Sequence, residues 1–332
     1  MTDVRSLDVV LAEADGLLSQ GESAGSAVVA TGFGMLDTYL GGGLRSGELA
    51  LLGGPQGLGK TTFALQVLRH VVCDGGRGMY FSFEHDAPTV VQRLIAAEAG
   101  EAMGMDAVPL RRVRDAMENR DGKSGDLSAR LRSIPGASEA VDVVRSYAER
   151  LAVVRCSGSS TDLGSIRSAI EQFSADDAPA PLVVIDYLQK VPVPGGSDAE
   201  DERVTVVVEG LKDLSLDLDV PILAIVAAEK EGLAAGKRLR VHHLRGSSAL
   251  AYEPDVVLVL NDKFDVVARH HLVFNTSNAE RYRSWAVLTI EKNRSGVDRI
   301  DIEFRKRFEQ SRFEVDGQPV EEQLVDERVF VE

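Results

Sequence analysis

Cysteine is almost absent from this chain. Only Cys73 and Cys156 occur, far apart, which excludes a disulfide framework and a cysteine-based zinc pattern. Long apolar runs are missing too: no stretch approaches the roughly 20 residues of a membrane-spanning helix. The opening residues, MTDVRSLDVV, contain no basic segment followed by an apolar core, so no signal peptide is read and a cytoplasmic location is expected. Positive charge is in deficit, with 37 Lys and Arg against 52 Asp and Glu, a net charge of −15. A protein that coats DNA with its outer surface is usually basic, so that mode is disfavoured. A local basic channel inside an assembly stays open, because screening confines repulsion to about 8 Å at physiological salt. Aromatic residues make up 5% of the chain, and the single Trp285 sits in a strand-like run that reads as core.

The 332 residues and 44% hydrophobic content fit one large domain or two small ones with a real core. Residues 54–61 read GPQGLGKT, a full match to the phosphate-loop pattern G-x-x-x-x-G-K-[ST]. An apolar run, 48–53, precedes it, and an amphipathic stretch at helical spacing, 60–73, comes after it. Strand, glycine-rich loop and helix is the arrangement that aims backbone N–H groups and a helix N-terminus at a polyphosphate. Gly54, Pro55, Gln56, Gly57, Leu58, Gly59, Lys60, Thr61 and Thr62 form the expected nucleotide-binding set. Lys60 would reach the β and γ oxygens, and the Thr61 hydroxyl would ligate Mg²⁺. ATP and Mg²⁺ are the ligands this predicts.

From Thr31 onward the pattern alternates. Strands are predicted at 48–53, 78–84, 151–155, 181–186, 220–227, 255–260 and 285–291. Helices are predicted near 60–73, 87–100, 139–150, 162–174 and 202–217. The strands are near-continuous apolar runs, the signature of a parallel sheet covered on both faces. The fold class expected is therefore α/β. The charged stretch 101–137 is expected to form helices over the sheet, and 193–202 an exposed loop. Ahead of this core, residues 4–18 carry an apolar stripe at Val4, Leu7, Val10, Leu11, Ala14, Leu17 and Leu18, with a Gly/Ser/Glu-rich tether after it at 20–26. Residues 1–29 thus read as an amphipathic helix and linker, and 30–332 as the main domain. The stripe must find a surface, on its own domain or on a neighbouring subunit.

Three further elements point to phosphate chemistry. Leu182–Asp186 is an apolar strand ending in a carboxylate, suited to hold Mg²⁺ through water. Glu84 closes the strand after the phosphate-loop helix, where a carboxylate could act as general base on water. Lys292 and Arg294 stand at alternate positions of a strand end and could reach a neighbour's γ-phosphate. A basic, glycine-containing segment, 230–245, carries Lys230, Lys237, Arg238, Arg240 and Arg245. Its cations could pair with nucleic-acid phosphates, although it has no aromatic residue to stack bases.

Together these pieces resemble the C-terminal ATPase domain of DnaB-type replicative helicases, on the RecA-like fold. The resemblance spans most of residues 30–315. Thr31-Gly-Phe-Gly-Met-Leu-Asp37 and 40–49 resemble the family's approach to its first core strand. Ile185-Asp-Tyr-Leu-Gln189 is the most specific piece. Leu244-Arg-Gly-Ser-Ser248 with Glu253-Pro-Asp-Val-Val257 resembles its late motif, and Glu291–Gly296 with Ser311–Glu314 its closing hairpin. The resemblance implies a hexameric ring with ATP at subunit interfaces, and the helix at 4–18 falls where the family docks a linker helix on the adjacent subunit. Catalytic roles are implied for Lys60, Glu84, Asp186, Lys292 and Arg294, and DNA contact for Lys237, Arg238, Arg240 and Arg245. Some features depart from the family. Only about thirty residues precede the core, so the N-terminal helical domain that binds primase is expected to be missing. Where the family ends a strand in a phosphate-sensing Gln, this chain has Ala227 and Ala228, which cannot bond a phosphate through their side chains. The segment 261–284, with Asp265, Arg269, His270, His271 and Arg281, looks longer than the family's equivalent. Two functions remain open: an ATP-driven translocase or helicase on single-stranded DNA, or a regulatory or assembly ATPase acting on a protein partner.

Overall fold

The structure, a computed structural model, describes residues 4–106, 109–119, 122, 124–174, 179–229, 232, 236–273 and 276–327. Helix α1 (Leu7–Ser19) comes first, capped by the Ser6 hydroxyl, and none of its residues is buried. Strands β1 (Val28–Val29) and β2 (Leu44–Arg45) pair as a small ribbon around α2 (Gly34–Tyr39). The Asp37 carboxylate accepts hydrogen bonds from the Thr31 N–H and hydroxyl and from the Gly32 N–H. That local closure is the physical content of the Thr31–Asp37 motif.

The core then runs as β3 (Leu49–Gly53), α3 (Lys60–Cys73), β4 (Gly78–Ser82), α4 (Ala87–Met103), α5 (Leu110–Met117), α6 (Leu127–Leu131), α7 (Ala137–Tyr147), β5 (Leu151–Arg155), α8 (Leu163–Phe173), β6 (Leu182–Asp186), α9 (Glu200–Asp217), β7 (Ile222–Val226), α10 (Ala249–Tyr252) and β8 (Val256–Asp262). Three short helices, α11 (Lys263–Val266), α12 (Arg269–Val273) and α13 (Thr276–Arg283), then lead to β9 (Trp285–Asn293), β10 (Ile300–Arg307), β11 (Arg312–Phe313) and β12 (Gln318–Pro319). The large sheet runs β11-β10-β9-β8-β3-β7-β6-β4-β5, with β12 on β10. Strands β8, β3, β7, β6, β4 and β5 are parallel, and β9 to β12 add an antiparallel extension.

Side chains alternate across the pleat. Ala50 and Leu52 of β3 face one core with Phe33, Phe63, Phe304 and Phe313, under α3. Leu49 and Leu51 face the other, with Ile166 and Ile170 of α8 and Val207 and Leu211 of α9. Each fully buried Leu or Phe contributes about 1.5–3 kcal/mol. A third cluster, with Ile95, Val113, Leu131 and Val141, joins α4 to α5, α6 and α7, so the charged stretch 101–137 does form helices. Arg69 and Glu98 tie α3 to α4 through two hydrogen bonds of 2.8 and 2.6 Å. The expected loop at 193–202 ends early, because α9 begins at Glu200 with Glu200, Asp201 and Glu202 in its first turn. Carboxylates there complement the helix dipole.

Candidate nucleotide site

The parallel strands end together at one edge of the sheet, and the loops leaving that edge build the site. Gly53 ends β3 and the loop 54–59 turns into α3. Gly59 has φ +86°, a left-handed conformation that L side chains rarely adopt, and a Cβ there would sit 2.7 Å from the Phe308 ring. The loop therefore packs against aromatic residues of the antiparallel extension, and glycine is required. The Lys60 ammonium donates to the carbonyls of Gly54 (2.7 Å) and Pro55 (3.0 Å). Burial pushes its pKa below the usual lysine value, opposed by the carboxylates of Asp186 and Glu84.

Asp186, at the end of β6, is 1% exposed. Its Oδ2 accepts hydrogen bonds from the Thr61 hydroxyl (2.7 Å) and the Tyr80 hydroxyl (2.6 Å). A buried carboxylate beside a hydroxyl is an oxygen-donor pair suited to a hard cation such as Mg²⁺. The residues thus fit the metal and the triphosphate that the loop sequence predicts. Ser82 pairs in register with Asp186. Strand β4 ends there, so Glu84 lies two residues beyond the strand instead of closing it. Glu84 is exposed. It lines a polar cleft of about 410 Å³ with Ser82, Phe83, His85, Asp86, Thr89, Arg155 and Cys156.

Lys292 and Arg294 stand elsewhere. Lys292 pairs with Val257, which is level with Leu51 in the middle of β3, and its side chain, like that of Arg294, is held at the sheet edge opposite the loop, where β8 begins. Its ammonium donates to the carbonyls of Ala251 (3.0 Å) and Tyr252 (2.7 Å). Arg294 donates to Asp255 (3.1 Å) and to the Tyr252 carbonyl (2.7 Å), and its side chain is 49% exposed. A single chain does not bring these two cations to its own phosphate loop.

The basic segment divides. Lys230 lies outside the described residues. Arg238 departs from the expected DNA-facing role: it is 5% exposed and turned inward onto Thr289 and Asp301. Its charge is used inside the fold. Lys237 is half-buried. Arg240 is held by Glu291 (2.9 Å) and Asp326 (2.6 Å), and Arg245 by Glu200 (2.5 Å). Leu239, between Arg238 and Arg240, is fastened by Asn261, whose side-chain amide exchanges two hydrogen bonds with its backbone. At the end of β7, the Ala227 N–H donates to the Gln189 side chain (3.2 Å), which in turn donates to the Arg245 carbonyl (2.9 Å). A glutamine thus occupies the junction of these strands, supplied by the turn after β6. His271 accepts a hydrogen bond from the Gln323 N–H.

Sequence reasoning missed Tyr80, whose apolar strand context reads only as core. It also missed Arg93 of α4. Burial lowers the pKa of Arg93, and Tyr80 and Asp186 lie within electrostatic reach of it.

Comparison with known proteins matches this arrangement to one family. The family model described as DnaB-like helicase C terminal domain matches residues 28–314. This chain belongs to that family. Among curated DnaB-like relatives, the replicative DNA helicase DnaB of Treponema pallidum is 24% identical over 284 residues, covering 84% of this chain and 55% of the relative. That of Pasteurella multocida is 25% identical, covering 90% of this chain and 58% of the relative. The chain therefore spans little more than half the length of these relatives. A solved structure described as an ATPase domain superposes with a TM-score of 0.72 at 18% identity, covering 94% of this chain and 99% of that one. A DnaB-like replicative helicase, described with its interactions with primase, gives 0.71 at 17% identity and covers 94% and 68%. The DnaB-like domain here is thus a RecA-like α/β fold with a mostly parallel sheet, as the sequence predicts. Among the described residues, no helix is long and apolar enough to cross a membrane.

Proposed function

We propose that this chain is the motor domain of an ATP-hydrolysing ring translocase, acting on single-stranded DNA as a helicase, with ATP bound between subunits. The observation that carries the proposal is the separation of two half-sites. Lys60, Thr61 and Asp186 converge at one sheet edge near Glu84, while Lys292 and Arg294 lie at the opposite edge. A neighbouring copy can bring its cations to this copy's phosphate loop, which favours a ring. Helix α1 supports the same reading: Leu7 is 74% exposed, Leu11 56% and Leu18 61%, an apolar stripe that a second subunit would cover, with residues 1–29 as linker and 30–332 as motor.

In the reaction, Lys60 exchanges its two carbonyl partners for β and γ oxygens. Thr61 would ligate Mg²⁺ directly and Asp186 through water. The metal supplies charge neutralisation between the phosphates when bound. Glu84 accepts the proton of the attacking water, whose oxygen bonds to the γ-phosphorus as the bond to ADP breaks. Lys292 and Arg294 of a neighbouring copy stabilise the charge on the transferring group. Lys237, Arg240 and Arg245 are the cations offered to the DNA backbone.

One observation favours a second reading, a regulatory or assembly ATPase working on a protein partner: Arg240 and Arg245 are ion-paired and Arg238 is buried in a chain of net charge −15. A strand-release assay on a forked DNA duplex with ATP separates the two. Release is expected from the parent and not from Lys60→Ala. Turnover without release at any salt concentration would favour the protein-partner reading.

A further inference from the structure

The chain continues beyond residue 314, where the family match ends, and crosses the basic segment. β12 pairs with β10. Glu322 then pairs with Lys263, which is 1% exposed and also paired with Glu303. The Ala268 N–H donates to the Gln323 carbonyl and the Val325 N–H to the Val266 carbonyl, both at 2.8 Å. So anchored, the tail delivers Asp326 and Glu327 to the segment 237–240. The Arg238 N–H donates to the Asp326 carbonyl (2.8 Å). Lys237 and Glu327 form a backbone bridge. The Asp326 carboxylate oxygen Oδ1 accepts from two nitrogens of the Arg240 guanidinium, at 2.8 and 2.6 Å. These residues line a cleft of about 590 Å³, with His242, His243 and Arg299 adding to its basic side and Glu291 to its acidic side.

We propose that this cleft binds the phosphate backbone of single-stranded nucleic acid, and that Asp326 is a built-in competitor which the nucleic acid displaces. The proposal rests on the DNA reading above. A carboxylate taking two guanidinium N–H bonds makes the same contact that a phosphate would make. The two acids on Arg240 differ in how firmly they are held. Glu291 is 10% exposed and orients the guanidinium from within the sheet, whereas the Asp326 side chain is 71% exposed. An exposed ion pair is worth no more than about 1 kcal/mol, and an incoming polyanion also releases counterions. Asp326 is therefore the partner that yields. The buried Lys263 anchor keeps the released carboxylate tethered nearby, so the tail raises the threshold for binding and returns when the strand leaves.

The test is equilibrium binding of a fluorescent oligo-dT to the full chain, monitored by anisotropy across a salt series with Mg²⁺ and a non-hydrolysable ATP analogue. The parent is compared with the double variant Asp326→Asn, Glu327→Gln, and with the same variant carrying Arg240→Gln. The double variant is expected to bind about fivefold to tenfold more tightly at low salt, and Arg240→Gln to remove the gain. Equal affinities for parent and double variant would overturn the competitor and leave the DNA reading standing. A gain that survives Arg240→Gln would also overturn it, as an effect of net charge alone. Failure of both proteins to bind at low salt would overturn the DNA reading and the competitor with it.

Discussion

Replacing Tyr80 with Phe tests how Asp186, the proposed metal-site carboxylate, is held. Asp186 is 1% exposed, and its Oδ2 receives two hydroxyl donors, from Thr61 and Tyr80. A hydrogen bond to a charged group is worth about 1.5–3 kcal/mol. The Tyr80 ring is fully buried and Phe keeps that packing, so the loss is confined to the donor. The nucleotide-free protein should lose about 2 kcal/mol, a fall in melting temperature of roughly 3 °C for a chain of this size. Burial, and then the Asp186 charge, push the Tyr80 hydroxyl pKa far above its unfolded value of 10, so the deficit should hold across neutral pH and shrink above about pH 10, where the unfolded parent chain gives up this proton and the folded one keeps it. With Mg²⁺ and a non-hydrolysable ATP analogue bound, the cation answers the Asp186 charge and the deficit should shrink to half or less. Differential scanning calorimetry of parent and variant, with and without ligand, measures both. An unchanged melting point in the free protein, or an equal fall in both states, would refute the reasoning.

Other consequences arise from the same contacts. Lys60 has a lowered pKa, so in the ligand-free protein the unfolded chain binds more protons between that value and 10.5, and this group's contribution to stability rises with pH there. ATP needs the ammonium form. Affinity should therefore fall as pH rises through the lowered value, with proton uptake on binding, while Lys60→Arg stays flat; calorimetric titration giving identical profiles would contradict this. Gly59→Ala adds a Cβ at φ +86° that meets the Phe308 ring at 2.7 Å, for a cost of about 2–5 kcal/mol. Denaturant unfolding should register that loss, and a neutral variant would remove the packing argument. Lys60→Ala and Arg294→Ala proteins should each be nearly inactive, yet mixed subunits should regain turnover, since intact half-sites can then meet across an interface; no recovery on mixing would count against a shared site.

Strand runs such as Leu182–Ile185 and Pro221–Val226 are apolar on both faces, so the parallel sheet was legible from periodicity alone. The loop 54–61, helix 60–73 and Asp186 were legible because their chemistry is local and ordered along the chain. The antiparallel extension was less so: β10 to β12 mix charged and apolar residues, and the short helices between 263 and 283 carry no sustained period. Long-range pairing hid the rest. Arg238 reads as a surface cation until the fold brings Asp301, 63 residues away, against it. Tyr80 reads as core until Asp186, 106 residues away, meets its hydroxyl. Arg240 looks available until Glu291 and Asp326 are seen around it. Charge in a sequence counts cations, but their partners decide which of them remain for a ligand.

The measurement closest to the central claim is the ATPase rate of the parent chain with and without single-stranded DNA, across a salt series. A DNA-driven motor predicts turnover stimulated at low salt, with the stimulation declining steeply as salt rises and counterion release weakens binding. Turnover indifferent to DNA, with no binding at low salt, would contradict the account and move the protein to the class of ATPases that act on protein partners.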